Sequence, residues 1–138
     1  MQPSATLNLL RVELKADKDV IWVNVMPGTH PPSAQAFEVT FTLTVTDEYK
    51  TDYKGVSPDS PVYKFWVMAG PVKLWEEPVN VAHHPTEVKI PAGKPAEYQA
   101  TWKIPDVHKL PVRTLLGFAE FVPSSQVAQF PVEVKLAR

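Results

Sequence analysis

Two adjacent histidines, His83 and His84, are the residues of this chain whose type and spacing come nearest to a metal site. Adjacent residues on an extended chain point to opposite faces, so one ion seldom binds both of them. The other two histidines, His30 and His108, stand at no ligand spacing from the pair. The chain has no cysteine, which excludes thiol catalysis, disulfides and cysteine-ligated zinc or iron–sulfur sites. We therefore predict no metal site and no cofactor.

The motifs of nucleophilic catalysis and phosphate binding are also missing from the sequence. It contains no Gly-x-Ser-x-Gly, and its five glycines are scattered rather than gathered in a phosphate-binding loop. The carboxylate pairs Asp47-Glu48 and Glu76-Glu77 both fall in predicted turns. Paired carboxylates perform acid–base chemistry only where burial or proximity separates their pKa values. These features predict a protein that is not an enzyme.

Trp66 is the residue with the strongest indication of a binding role. In the segment YKFWVM, the side chains of Tyr63, Phe65 and Val67 share one apolar face, but Trp66 and Met68 make the opposite face apolar as well. A strand with two apolar faces is either covered on both sides or leaves an apolar patch exposed. One interpretation is that a loop or the N-terminal segment covers Trp66, and the other is a surface that binds a protein or a sugar ring.

The elements that must position these residues are strands, because apolar and polar side chains alternate strictly in FEVTFTLTVT at positions 37–46. This period of two indicates one buried and one solvated face. Residues 96–104 and 127–136 repeat the alternation and contribute further inward rows, which we predict to contain Ala96, Tyr98, Ala100, Trp102, Ile104, Phe130, Val132, Val134 and Leu136.

Fifteen prolines divide the chain into short extended pieces, since proline lacks a ladder donor and stays out of central strands. We predict an all-β, immunoglobulin-like antiparallel β-sandwich of seven to nine strands, formed by a single domain over residues 1–138. Residues 1–33 are a candidate N-terminal hairpin extension. We also predict a polar loop from Asp47 to Pro61, a bulge or close contact at Gly117, and an edge strand at Pro131.

The charge balance limits the classes of partner. Fourteen basic and fifteen acidic residues give a formal net charge of −1, and Lys and Arg are scattered along the chain rather than gathered in the basic runs that bind nucleic acids and anionic membranes. The first ten residues lack a basic segment followed by an apolar run, so we predict no signal peptide and a cytoplasmic protein. Nucleic acid and membrane are therefore not expected as partners.

The order of features from Phe37 to Leu136 resembles the bacterial intracellular proteinase inhibitor family, called BsuPI. The residues that carry the resemblance are the strand FEVTFTLTVT, the strand VYKFWVM, the return VKLWEEP with Trp75, the turn IPAGKPAEY, Trp102 in ATWKIPD, and the segment LLGFAEF. The resemblance implies an immunoglobulin-like sandwich, a bacterial source and a serine protease as partner. Leu116 and Phe118 stand where the family has proline and tyrosine.

Inhibition by such a protein requires an extended loop that fits a protease cleft, with neighbouring prolines that lower the cost of ordering it. Two loops meet this description, Asp47 to Pro61 and Glu77 to Pro85. The candidate contact residues in these loops and on the Trp66 strand are Tyr49, Lys50, Tyr53, Lys54, Trp66, Asn80, His83 and His84.

We predict a non-enzymatic protein-binding module that resembles an intracellular proteinase inhibitor. The first alternative is a carbohydrate-binding module of the β-sandwich type, in which Trp66, Trp22 or Tyr53 would present planar rings to a sugar. The second alternative is a structural or assembly domain held together by edge-strand pairing or by the Trp66 patch.

Overall fold

The computed structural model describes residues 10–24, 35–48, 52–57, 62–77 and 86–137. This part of the chain forms ten strands and two short 3₁₀ helices, at Val107–Lys109 and Val122–Ser124, and contains no α-helix. The strands are β1 (Leu10–Ala16), β2 (Val20–Asn24), β3 (Phe37–Asp47), β4 (Tyr53–Ser57), β5 (Tyr63–Ala69), β6 (Val72–Glu77), β7 (Thr86–Ile90), β8 (Ala96–Ile104), β9 (Thr114–Phe121) and β10 (Gln126–Ala137).

Two sheets pack face to face, and the all-β sandwich predicted from the sequence is confirmed. One sheet has the order β1-β3-β8, and the other has the order β2-β10-β9-β5-β6. The run β10-β9-β5-β6 matches the order G, F, C, C′ of variable-type immunoglobulin domains. Most pairs are antiparallel, but β2 and β10 run parallel. The strand number exceeds the predicted seven to nine, because one strand lies inside a predicted loop.

The core forms where the inward rows of the two sheets meet. Val39, Phe41, Leu43 and Val45 of β3 are all buried, as the alternation predicted. Aromatic side chains join the layers: Phe41 stacks on Trp75 of β6, with ring centroids 6.0 Å apart. The same Trp75 ring lies 6.3 Å from the ring of Trp102 on β8. Trp102 is 4% exposed, so its predicted place in the core is confirmed.

The prediction of a polar loop from Asp47 to Pro61 is wrong over its middle. Residues 53–57 form β4, which pairs with β7 in a small antiparallel sheet of its own. Tyr53, Val88 and Ile90 pack this sheet against the core. The five-residue strand carries only a weak alternation of its own, and its ladder hydrogen bonds depend on a partner about thirty residues later in the chain.

The prediction that Pro131 marks an edge strand is wrong for β10 as a whole, since β9 and β2 flank that strand. Pairing with β2 begins only at Glu133, however. The Glu133 amide donates to the Asp19 carbonyl on the β2 side, and the next amide, that of Val134, donates to Arg113 on the β9 side. Alternate backbone nitrogens of a strand point to the same side, so the Pro131 nitrogen points, like that of Glu133, to the side on which β2 lies. Because β2 does not extend as far as Pro131, the N–H group that proline lacks removes no ladder hydrogen bond.

Leu136 is not an inward core residue as predicted, because 49% of its surface is exposed. The pairing of β10 with β9 ends at Glu133 and Thr114. The Val134 amide still donates to Arg113 on the β9 side, but beyond Val134 the only described strand beside β10 is β2. The end of the strand is therefore covered less completely than Val132 and Val134, which are both buried.

The first two strands are divided between the sheets. β1 pairs with β3, and β2 pairs with β10. They do not pair with each other, so the described part of residues 1–33 belongs to the sandwich rather than to a separate hairpin. The segment LLGF at 115–118 lies in β9. A Cβ atom at Gly117 would lie 2.7 Å from Cε1 of Phe41, which confirms the predicted close contact.

Candidate functional site

The structure describes three of the eight residues that the sequence suggested as partner contacts. Tyr53 and Lys54 lie on β4, and Trp66 lies on β5. The remaining five are outside the described residues: Tyr49, Lys50, Asn80, His83 and His84.

Tyr53 and Lys54 point to opposite sides of β4. The Tyr53 ring packs against Phe121 at a centroid distance of 6.0 Å. It also lies across Gly55, where an added Cβ atom would meet the ring at 2.7 Å from Cζ. Partial burial raises the pKa of the Tyr53 hydroxyl. Lys54 is exposed and stands opposite Lys89 on β7. Tyr53 therefore anchors β4 to the core, while Lys54 is free to contact a partner.

Trp66 lies on the outer face of the five-stranded sheet. Its neighbours Phe65 and Val67 are fully buried beneath the sheet, so the alternation of β5 directs Trp66 outward. The ring stacks on Phe118 of β9, with centroids 5.4 Å apart and planes 12° apart. Part of the burial of Trp66 thus comes from a cross-strand neighbour in its own sheet.

The register of β5, β9 and β10 extends this aromatic pair into an apolar strip. Trp66 stands opposite Phe118, and Met68 stands opposite Leu116. On the far side of β9, Leu116 stands opposite Pro131 of β10. Leu116 keeps 38% of its surface exposed, so the strip is open to solvent. We call these five residues (Trp66, Met68, Leu116, Phe118 and Pro131) the apolar strip.

Charged and polar residues border the apolar strip. On β6, Glu76 stands opposite Trp66 and Lys73 stands opposite Met68. Glu76 and Lys73 form an ion pair with an N–O distance of 3.1 Å. At one end, Lys64 of β5 stands opposite Glu120 of β9. On β10, Gln129 stands opposite Phe118, and Glu133 lies two residues beyond Pro131. The border therefore carries both signs of charge.

Sequence inspection found half of this site. The apolar outer face of β5 was visible in YKFWVM, but the contribution of β9 was missed. The signal existed in LLGFAEF, where Leu116 and Phe118 alternate with the inward residues Leu115, Gly117 and Ala119. Both strands have two apolar faces, and a sheet that contains two such strands side by side exposes a continuous patch.

Trp22 lies on β2 and is 48% exposed. It stands opposite Lys135 of β10, whose Nζ atom lies 5.9 Å from the centre of the indole ring. Cations at this distance from an aromatic face are attracted to it, so Lys135 occupies one side of the ring.

Among the described residues, no group of three or more histidine or carboxylate side chains could hold a metal ion.

His108 forms a second polar cluster, which joins the end of β2 to the 3₁₀ helix after β8. Its Nδ1 atom lies 2.7 Å from Oδ1 of Asp106, and its Nε2 atom lies 3.1 Å from the carbonyl oxygen of Asn24. Both ring nitrogens thus face acceptors, which only the imidazolium form can satisfy together. The hydrogen bond to Asp106, followed by that to Asn24, raises the pKa of His108. The backbone amide of His108 and then its side chain lower the pKa of Asp106.

We expect this cluster to make stability depend on pH. Because the pKa of His108 is raised, its contribution to the stability of the fold is complete below the usual pKa of 6.5. This contribution is lost as the pH rises through the pKa that His108 has in the folded protein. The lowered pKa of Asp106 gives a contribution that is present above 3.8 and is lost as the pH falls below it. In urea unfolding, the stability difference between the wild-type protein and His108→Gln should therefore be larger near pH 5.5 than near pH 8.5. The other histidines are common to both proteins and cancel, and an equal difference at the two pH values would contradict the prediction.

Comparisons with known proteins give little similarity. No protein-family profile matches the chain, and no curated protein sequence matches it. Among solved structures, the chain is similar to the crystal structure of beta-glucosidase from Listeria innocua, with a TM-score of 0.38 and 15% identity. The matched region covers 91% of this chain and 16% of the enzyme's chain, and a TM-score of this size supports no argument about function.

Within the described residues, no helix has the length and apolar character needed to span a membrane.

Proposed function

We propose that this chain is a non-enzymatic protein-binding module whose contact surface is the outer face of its five-stranded sheet. The observation that carries the proposal is the apolar strip, with Leu116 38% exposed between the stacked pair Trp66–Phe118 and Pro131. Contiguous exposed apolar patches with a polar border mark interaction sites in soluble proteins. Aromatic and methionine side chains are also enriched in protein interfaces.

The geometry of the aromatic pair favours a protein over a sugar. Trp66 and Phe118 stack with their centroids 5.4 Å and their planes 12° apart, so one face of each ring is partly covered by the other, and both rings are less exposed than that of Trp22. A sugar ring stacks on an open aromatic face. A protein partner can instead pack aliphatic and aromatic side chains against ring edges and against Met68, whose thioether side chain adapts to varied shapes.

Carbohydrate binding is the second candidate function, and the exposed ring of Trp22 is the observation that favours it. Lys135 lies over one side of this ring, so the other side is the one available to a sugar. Retardation of the protein in polysaccharide affinity gels, with loss of the effect in Trp22→Ala, would favour this function over protein binding.

A serine protease is the partner class that we propose for a first test, and the support for it is the resemblance to intracellular proteinase inhibitors. Two parts of the surface could then contribute. The outer face would supply apolar contact area, and Lys54 would supply an exposed basic side chain on β4. Tyr53 contributes indirectly, because its contact with Phe121 holds β4 against the core.

We expect the protein at micromolar excess to inhibit at least one member of a panel of serine proteases. We further expect Leu116→Asp to raise the inhibition constant about tenfold or more, since a carboxylate buried in an apolar contact costs at least about 1–3 kcal/mol. Residual protease activity is the measurement. Val112→Asp is the matched control, because Val112 is 57% exposed and lies in the loop before β9 rather than on the outer face.

Three outcomes separate the parts of this proposal. Absence of inhibition across the panel would remove the serine protease as partner. Inhibition that Leu116→Asp leaves unchanged would place the contact away from the outer face and contradict the proposed surface. A loss of inhibition in Lys54→Ala, with Leu116→Asp unaffected, would assign the contact to the β4 side instead.

A further inference from the structure

We infer that two copies of this chain pair through the outer face, with a two-fold axis that runs between β5 and β9 and parallel to them. The inference rests on the proposed function, because it takes the apolar strip to be a protein contact surface and names a second copy as its occupant. A two-fold interface uses the same patch on both copies and must therefore be complementary to itself.

The apolar strip meets this requirement. The axis places β5 of one copy over β9 of the other, so Trp66 faces Phe118 of the second copy. Met68 then faces Leu116 of the second copy, and symmetry repeats both contacts. These contacts follow from the register within one chain, where Trp66 stands opposite Phe118 and Met68 stands opposite Leu116. A two-fold axis along the strands keeps each residue at the same height, so the same pairs meet between the copies. Sheets that pack in this way keep their strand directions within about 30° of each other.

The charges at the border support a second copy as the occupant. Lys64 and Glu120 stand on opposite sides of the axis, so each lysine faces the glutamate of the other copy. Lys73, which stands opposite Met68, is brought beside Pro131 of the second copy and toward its Glu133. Glu76 meets the uncharged Gln129 of the second copy. This placement creates opposite-charge neighbours and no like-charge pair among these residues, and such complementarity sets the register of an interface.

The size of the face sets the strength of the dimer. The outer face spans four strands, β6, β5, β9 and β10, which stand about 4.8 Å apart. Three outward residues follow each other about 6.8 Å apart along each strand, so the face covers on the order of 400 Å² per copy. For both copies together this is about 800 Å², which is below the roughly 1,200–2,000 Å² of stable specific interfaces and within the range of weak, transient ones. We therefore expect a concentration-dependent dimer with a micromolar dissociation constant. The formal net charge of −1 gives little repulsion between copies.

Sedimentation velocity of the full chain over micromolar to near-millimolar concentrations tests the inference. The wild-type protein should shift from monomer to dimer across this range. Leu116→Asp should raise the dimer dissociation constant at least tenfold, because it places two carboxylates in the apolar contact. Val112→Asp, at an exposed apolar site outside the outer face, should leave the constant unchanged. Circular dichroism confirms that each variant is folded.

A mixing experiment tests the orientation. Lys64→Glu and Glu120→Lys, studied separately, should each weaken self-association several-fold, since each sets like charges opposite each other twice per dimer. An equimolar mixture of the two variants should recover the wild-type dissociation constant, because both contacts in the mixed dimer then join opposite charges. Added salt should reduce the difference between the single variants and the mixture.

Two results would overturn the inference. One is a wild-type protein that remains monomeric over the whole range, and this result would leave binding of a different protein to the same face intact. The other is a dimer that Leu116→Asp and the charge variants do not affect, which would place self-association elsewhere, for example along β6, the last of the described strands in its sheet. Recovery on mixing, together with weaker self-association of each variant alone, is the combined result that the proposed two-fold arrangement predicts.

Discussion

Replacing Phe41 with alanine should lower the free energy of unfolding by about 3–5 kcal/mol, as for other large aromatic side chains in cores. The side chain is 1% exposed and lies between the two sheets, in stacking contact with Trp75. Its removal leaves a cavity between rigid strands, bordered by the ring of Trp75 and by Gly117, which limits collapse around the site. Urea unfolding followed by tryptophan fluorescence measures the effect.

Thr44→Val is the matched control for this change. Thr44 lies on the solvated face of the same strand, between Glu13 of β1 and Glu97 of β8. The substitution keeps the shape and the β-branching of the side chain, so we expect a change within about 0.5 kcal/mol. A similar loss of stability in both variants would contradict the assignment of the two faces of β3, on which the description of the core depends.

Gly117→Ala should be destabilising by about 1–3 kcal/mol, through overpacking rather than through loss of contacts. The added Cβ atom would lie 2.7 Å from Cε1 and 3.0 Å from Cζ of Phe41, and 3.3 Å from the carbonyl oxygen of Phe130. Phe41 cannot yield freely, since its ring is stacked on Trp75. Thermal or urea unfolding of the variant provides the measurement.

A double-mutant cycle identifies the cause of that effect. In the Phe41→Leu background, the ring edge that meets the new methyl group is absent, so the cost of Gly117→Ala should fall by at least about 0.5 kcal/mol. Gly93→Asn serves as a control for glycine replacement, because nothing lies within 4 Å of a Cβ atom there and asparagine tolerates the φ of +75°. Strict additivity of the two core substitutions would contradict the steric explanation.

The strands that the sequence predicted best are those whose signal is complete within one segment. In β3, five apolar residues alternate with polar ones, and the inward row from Val39 to Val45 is buried as expected. β8 behaves in the same way through Ala100, Trp102 and Ile104. Gly117 was also identified in advance, because a glycine inside an apolar strand indicates a close approach of another group.

The predictions that failed concern residues whose environment depends on a distant segment. β4 was predicted as a loop because its five residues become a strand only through pairing with β7. Leu136 continues the apolar alternation of β10 but lies past the end of the pairing with β9. β10 contains Pro131 and still lies inside its sheet, because the Pro131 nitrogen points to the side on which β2 has not begun. The presence of proline alone therefore did not predict an edge strand.

The sequence by itself determined which residues face inward along each long strand, because successive side chains on an extended backbone point to opposite sides whatever the strand pairs with. It also showed that β5 has two apolar faces. Only the tertiary structure decided that β5 and β9 are neighbours, with Trp66 opposite Phe118 and Met68 opposite Leu116. Strand pairing joins residues about fifty positions apart, and its register follows from burial of the whole core rather than from any local pattern, so the apolar strip exists only once the sheet has formed.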